Sequence, residues 1–420
     1  MCLGALPKQS YAPHDMHRLV DGFAFPSAGN PMPPEPTAAR AYRCRCGRRI
    51  FFHNSRCLAC GTPLGYEPER ARVFPLEPSI SGTGWHLVGP AGEGARIFSR
   101  CLNFQAIASC NWLVDVEAPG EGRRQLCRSC RLTRTIPDLS IAENGLWWAR
   151  IEVAKRRLVS ELIAMGLPLM SRNDDPAAGL AFDFIRSSPG GPPVVTGHDV
   201  GVITLNIEEA DDARREAIRA SMHERYRTLL GHLRHEVGHY YWQRLIEGTT
   251  WQPRYRLLFG DEREDYSDAL DRYYHSGPTA DWALRHVSSY ASAHSWEDWA
   301  ETWAHYLHMV DTLGTARSFG VSAGRAENPT EPFTADQLYQ PGDPAGAAFV
   351  SFVNAWIALT GVLNELSRSM GQPDFYPFVL PAAAVKKLHF VHLVVTDAVG
   401  ASTAISAQYL CEARGMADSR

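Results

Sequence analysis

The chain has 420 residues, of which 45% are hydrophobic and 21% charged, with a formal net charge of −4. That length suits two or three domains, and the small net charge gives no global pull toward nucleic acid or a lipid surface. No run of roughly 18 or more apolar residues occurs, and MCLGALPKQSYAPHDMH lacks the basic start and sustained apolar core of a signal peptide, so neither a membrane span nor secretion is expected.

Residues 1–40, rich in Pro, Gly and Ala, read as a disordered leader. Ten Cys follow an uneven distribution: eight fall in two groups with metal-ligand spacing, which points to a reducing, cytoplasmic setting rather than a disulfide framework. Cys2 and Cys411 are left over and read as free thiols. In RCRCGRRIFFHNSRCLACG the ligands would be Cys44, Cys46, Cys57 and Cys60, with Ile50, Phe51 and Phe52 as a short strand between two knuckles. Gly61 after Cys60 allows the tight turn in which backbone amides approach thiolates; a redox dithiol is the competing reading.

A second set, Cys101, Cys110, Cys127 and Cys130, again closes with C-x-x-C. Its wider first spacing leaves a merely packed Cys110, or an interleaved pairing of the eight thiols, as alternatives. Four Cys close a zinc site to substrate, so both sites are expected to be structural and to serve as docking modules that fold on the metal. Arg40, Arg43, Arg45, Arg48, Arg49 and Arg56 crowd the first group, and Arg123, Arg124, Arg128, Arg131 and Arg134 the second. A solvated basic surface is the simpler reading, and a nucleic-acid patch the other.

NGLWWARIEVAKRRLVSELIAMGL then has helical periodicity, with Trp147, Trp148, Ile151, Val153, Leu158, Leu162 and Ile163 on its apolar face and Lys155, Arg156 and Arg157 on the solvated one. A domain boundary is placed near residue 140. After a loop-rich stretch, Val200 to Ile207 is the clearest strand. As an edge it could pair with an extended peptide, although a buried strand without that role fits as well. EEADDARREAIR reads as a charged connecting helix.

LLGHLRHEVGHYYWQRLIEG carries apolar residues at helical spacing, which predicts one helix over about 223–247, ended by Gly248. A five-residue pattern can arise by chance in a chain with 16 His. This one, however, lies within a long amphipathic helix, where His235 and His239 project from one face and can reach a single tetrahedral ion. Glu236 lies beside that ion, placed to take a proton from water; the arrangement is the H-E-x-x-H signature of zinc hydrolases.

A catalytic zinc commonly takes a third protein ligand. SYASAHSWEDWAETWAHYLHMVDTLG offers a helix opened by Ser295 and Asp298 in a capping-box-like start, striped with Trp296, Trp299 and Trp303. Glu297, Glu301 and His305 rise on another face at successive i+4 steps. Glu297 is favoured as the ligand and Glu301 as the group that orients a ligand imidazole, with His305 and His294 as outside choices.

The text CRCGRRIFFHNSRCLACGTPLGY, CRSCRLTRTIPDLS, YRTLLGHLRHEVGHYYW and YASAHSWEDWAETWAHYLH resembles the bacterial family of zinc-binding metallopeptidases with an N-terminal zinc ribbon. The resemblance implies a gluzincin-type peptidase, and a more distant likeness of YASAHSWEDWAE to the Mlc titration factor peptidases implies Glu297 as zinc ligand and Tyr290 as a catalytic hydrogen-bond donor. Glu301 has no counterpart there.

The expected fold is α+β: a leader over 1–40, a zinc-ribbon region over 41–140 with two four-cysteine sites, and over 141–420 a mostly helical, zincin-like metallopeptidase domain with a small sheet and a C-terminal extension. That extension combines a helix-like FVSFVNAWIALTGVLNEL with a more strand-like LHFVHLVVTDAV, and its His389 and His392 read as core or surface histidines rather than ligands. The expected cofactors are one catalytic and two structural Zn2+. The expected partner is a peptide or protein substrate, with protein or nucleic-acid docking through the ribbon region as a further possibility. A catalytically idle, zinc-ribbon regulatory protein is the alternative function.

Overall fold

The computed structural model describes residues 40–80, 82, 84–89, 96–116, 125–188, 190–192, 194–221, 228–321 and 333–417. Residues 1–39 of the leader expected over 1–40, with Cys2, and Arg123 and Arg124 lie outside them, as does the side chain of Cys411.

The N-terminal part is small, antiparallel β structure. A hairpin of β1 (Tyr42–Arg43) and β2 (Arg49–Ile50) precedes a meander of β3 (Leu64–Glu67), β4 (Arg72–Pro78), β5 (Trp85–Leu87), β6 (Phe98–Arg100) and β7 (Leu113–Asp115). A bridge from Tyr66 to Trp112 carries β3 back against the β7 end of that sheet.

β8 (Thr133–Thr135) lies before the expected boundary, yet it joins the next sheet, whose order is β10-β11-β9-β8. α1 (Ala142–Ala164) follows β8, and then come β9 (Ala181–Ile185), β10 (Gly197–Asp199) and β11 (Val202–Asn206). β9 is parallel to both β8 and β11, while β10 is antiparallel to β11 and forms the edge. The strand expected at Val200 to Ile207 is therefore interior, and the free edge beside the site is β10.

The remaining elements are helices: α2 (Asp212–Ser221), α3 (Leu229–Leu245), α4 (Gln252–Phe259), α5 (Tyr266–Ser276), α6 (Trp282–Arg285), α7 (Ser295–Ser318), α8 (Gly346–Ser369) and α9 (Ala382–Ala417). The stretch read as strand-like in the C-terminal region is thus helical within α9; its run of Val and Leu suits a buried helix as well as a strand. His389 and His392, read as core or surface histidines, are buried there. Among the described residues, α8 is the helix whose length and composition would let it cross a membrane, and Phe349, Phe352 and Trp356 turn its buried face into the protein core.

The α3–α7 crossing organises the molecule. A Cβ on Gly238 would lie 3.0 Å from Ala300 Cα, so glycine there lets the backbones touch. Trp299 Nε1 donates to the Gly238 carbonyl oxygen at 2.8 Å, and Trp299 and Trp303 are fully buried beside it. α3 is capped by Thr228, whose hydroxyl accepts from Gly231 N–H at 3.0 Å. The cap of α7 is His294 rather than Ser295: its ring accepts from Trp296 N–H at 3.1 Å. Asp298 instead forms a buried ion pair with Lys387 of α9 at 2.5 Å.

Two charge assignments are reversed by the structure. Lys155 and Arg156 of α1 are buried, not solvated: Lys155 Nζ lies 2.7 Å from Glu152 Oε1 and faces the rings of Phe182 and Phe184. Arg40 is buried as well; its guanidinium sits 3.1 Å from Asp311 Oδ1, a carboxylate shared with Arg157 and Arg234. Helical spacing told which face these residues share, but not that a sheet and a ribbon would cover it.

Candidate metal centres and active site

In three groups of side chains the candidate donor atoms lie within 4.8 Å of one another: Cys44, Cys46, Cys57 and Cys60; Cys101, Cys110, Cys127 and Cys130; and His235, His239 and Glu297. In the first group Cys44 Sγ lies 3.6 Å from Cys60 Sγ, and Cys46 Sγ 3.8 Å from Cys57 Sγ. In the second, Cys110 and Cys127 sulfurs are 3.7 Å apart. Four thiolates about 2.3 Å from a tetrahedral zinc would sit about 3.8 Å from each other, so the spacing fits such an ion and is far too long for a disulfide. The two sets do not interleave, and the contacts in the first run across knuckles rather than within the C-x-x-C pair.

The knuckle turns are local. Gly47 and Gly61 adopt positive φ, and their amides donate to the Cys44 and Cys57 carbonyls at 2.9 and 2.8 Å. The second group is wholly buried, and its Cys127 amide lies 3.4 Å from Cys101 Sγ. Cys101 opposes the Cys130 thiolate, while contacts with Cys110 and Cys127 and, to a smaller extent, the charge of Lys155 favour it. Such a cation offsets the negative charge that four thiolates bring to a divalent ion.

The third group is mixed. His235 and His239 come from consecutive turns of α3 with ring centroids 5.0 Å apart, and Glu297 comes from the first turn of α7 across the Gly238 crossing. His235 Nε2 is 2.9 Å from Glu297 Oε2, and His239 Nε2 is 3.6 Å from Glu297 Oε1. Glu297 is 1% exposed, and its Oε2 makes no hydrogen bond among the described residues although His235 Nε2 stands 2.9 Å away. Lone pairs converging on one point, with a buried carboxylate oxygen that makes no hydrogen bond there, are what a cation at that point would satisfy.

Other residues orient these donors. His235 Nδ1 lies 2.8 Å from Glu301 Oε1, which leaves Nε2 facing Glu297. Ser288 Oγ donates to Glu301 Oε2 at 2.6 Å, and Tyr266 donates to Glu297 Oε1 at 2.6 Å. Ser288 was not singled out in the sequence, and Tyr266 reads there as a core or cleft-wall residue, because nothing local connects either to the helix pair. The outside choices fall elsewhere: His294 caps α7, and His305 Nδ1 meets Tyr376 OH at 2.5 Å.

Glu236 is buried at the centre's side, with Oε1 3.2 Å from His232 Nε2. Burial alone would raise its pKa, but the hydrogen bond and charge of His232 outweigh it and hold the carboxyl below its ordinary value. The Tyr290 ring centroid is 6.0 Å from that of His235. Burial and the Glu297 charge push its phenol well above the usual value, so it keeps its proton and is a donor. The arrangement combines a triad that could hold a metal ion, an ionised carboxylate and a protonated phenol, the parts needed to activate water against a carbonyl.

Comparison with known proteins agrees with this chemistry. Residues 41–141 match a zinc-ribbon domain family. Uncharacterized proteins of Mycobacterium bovis and of two strains of Mycobacterium tuberculosis are 42% identical over 362 residues, covering 85% of this chain and 96% of each of theirs. No solved structure matches. Residues 144–394, which hold the whole α3–α7 site, match the family described as "Putative zinc-binding metallo-peptidase", and the chain belongs to that family.

Proposed function

We propose that the protein is a zinc-dependent peptidase that hydrolyses peptide bonds at the His235, His239 and Glu297 centre, with Glu236 as general base. The observation that carries this reading is the buried Glu297 carboxylate converging with two imidazoles on one point, with an ionised carboxylate next to them. A zinc ion held there would supply Lewis acidity, lowering the pKa of water and polarising a carbonyl. Glu236 would accept a proton from the attacking water and return it to the leaving amine. Tyr290 would donate a hydrogen bond to the oxygen on which negative charge develops, and Tyr266 and Glu301 would hold the ligands. The β10 edge would offer backbone pairing to an extended peptide.

In the same reading both four-cysteine groups hold structural zinc, giving about three ions per chain. Residues 41–140 form the ribbon domain and 141–420 the peptidase domain, and eight reduced thiols suit a cytoplasmic setting. The test is Glu236→Gln. Zinc content should stay at the wild-type level while hydrolysis of an unfolded protein substrate falls by about 10²–10⁴; full activity in that variant removes Glu236 from its role.

A second reading rests on the surface of the first cysteine group. Leu58 is 95% exposed between Cys57 and Cys60, and Arg45, Arg48 and Arg49 are exposed nearby. This surface suits docking to a protein or nucleic acid, which an idle peptidase domain would leave as the main activity. About two zinc ions per chain, with a salt-dependent mobility shift of RNA or DNA, would favour it.

A further inference from the structure

The general base is tied to a second buried carboxylate through an imidazole. His232 Nε2 lies 3.2 Å from Glu236 Oε1, and its Nδ1 lies 2.6 Å from Glu209 Oε2. Glu209, one residue before the end of the short 3-10 turn that follows β11, is 5% exposed. Its other oxygen accepts from Thr196 Oγ1 at 2.5 Å, and Thr196 Oγ1 accepts from the Asn206 amide at 3.1 Å. Thr196 immediately precedes the edge strand β10. A continuous chain of polar contacts therefore runs from the strand hairpin to the Glu236 carboxylate, its last link the 3.2 Å ion pair with His232.

We infer that Glu209 and His232 are positioning residues that fix the rotamer of Glu236, an inference that rests on the peptidase reading above. Both ring nitrogens of His232 face carboxylate oxygens, so the imidazole donates from each and cannot turn without losing one bond. The bond to Oε1 fixes the plane of the Glu236 carboxylate. Oε2 is then the atom left without a hydrogen-bond partner among the described residues although it is buried, and it is the atom free to meet water. A buried glutamate with a free χ3 would spread its two oxygens over several orientations; the imidazole removes that freedom before substrate arrives. The spacing supports the design, because His232 is one helical turn ahead of Glu236 on α3.

The test is a double-mutant cycle between His232→Ala and Glu236→Gln, read on two assays with zinc content measured for each variant. One assay is kcat and KM on an unfolded protein substrate. The other is calorimetric affinity for a peptide hydroxamate, which engages the metal and the adjacent carboxylate without turnover. His232→Ala is expected to lower kcat and hydroxamate affinity by about 10–100-fold with KM and zinc content little changed. In the Glu236→Gln background the same substitution should add less than about twofold, since the group it positions is gone. Glu209→Gln, which keeps the size of the side chain, should give a smaller loss in the same direction. A His232→Ala effect that persists in full without Glu236, or that follows zinc loss, overturns the inference. If no peptide is hydrolysed by any variant, the peptidase reading falls, and the hydroxamate cycle still decides whether His232 acts through Glu236.

Discussion

Glu301 Oε1 stands 2.8 Å from His235 Nδ1, while Ser288 Oγ donates to its other oxygen at 2.6 Å. The pair fixes which nitrogen of His235 is left for a metal. A carboxylate behind a ligand imidazole sets its tautomer and strengthens its basicity, and losing one costs about 10–100-fold in metal affinity or activity. Glu301→Ala should therefore weaken zinc binding at the α3–α7 centre by that factor. Competition with a chelator of known affinity measures it, and the eight thiolates of the ribbon provide the internal reference.

Gly238 sits where α3 and α7 touch. Alanine is the better helix former by about 1 kcal/mol, so in an open helix the substitution would stabilise. Here the new methyl would stand 3.0 Å from Ala300 Cα, and backbone cannot yield as a flexible side chain does. The expected outcome of Gly238→Ala is a net loss of about 1–3 kcal/mol in urea unfolding, accompanied by weaker zinc binding as Glu297 moves away from His235 and His239. Unchanged zinc affinity would mean that the crossing does not set the ligand spacing.

The residues that meet at the α3–α7 crossing were legible in the sequence because helical periodicity places His235, Glu236 and His239, and Glu297 with Glu301, on their faces. What periodicity cannot say is which side chains arrive from other elements. Tyr266 of α5 and Glu209 after β11 come from segments that read as an acidic stretch and a charged connector. His232 was closer to hand: its four-residue spacing to Glu236 was readable, yet a lone His in a helix carries little signal without a partner. The same blindness made Lys155 and Arg156 look solvated, since the sheet strands that bury them are distant in sequence. α9 was missed in part because Val- and Leu-rich runs suit buried helices and strands alike.

Tyr266 and Tyr290 are expected to separate by assay. Tyr266 donates to Glu297 Oε1, so Tyr266→Phe should lower zinc affinity by about tenfold and activity along with it. Tyr290 stands over His235 without binding Glu297, so Tyr290→Phe should leave zinc content unchanged and lower kcat by about 10²–10³, as loss of an oxyanion donor does. Zinc analysis beside steady-state kinetics distinguishes them; equal effects in both assays would withdraw the assignment of Tyr290.

Acid should unfold the protein through its buried histidines. Burial, with His389 nearby, lowers the pKa of His392 to about 4, and its Nδ1 accepts from the Tyr306 hydroxyl at 2.9 Å, so the folded protein holds it neutral. Burial likewise lowers His305 to about 4. A depressed histidine contributes stability that is present above the unfolded value of about 6.5 and is lost as pH falls toward 4, because only the unfolded chain takes up the proton across that window. For His392 the full loss is about 3 kcal/mol. Asp311 acts in the same direction at lower pH: burial opposes ionisation, but Arg40, Arg157 and Arg234 hold its pKa below the ordinary carboxylate range, and that stability goes as the group is protonated. His392→Gln keeps an acceptor for Tyr306 and removes the titration. Its stability should fall less steeply than that of the wild type between pH 6.5 and 4 in urea unfolding, a comparison in which zinc release cancels because both chains carry the same ligands.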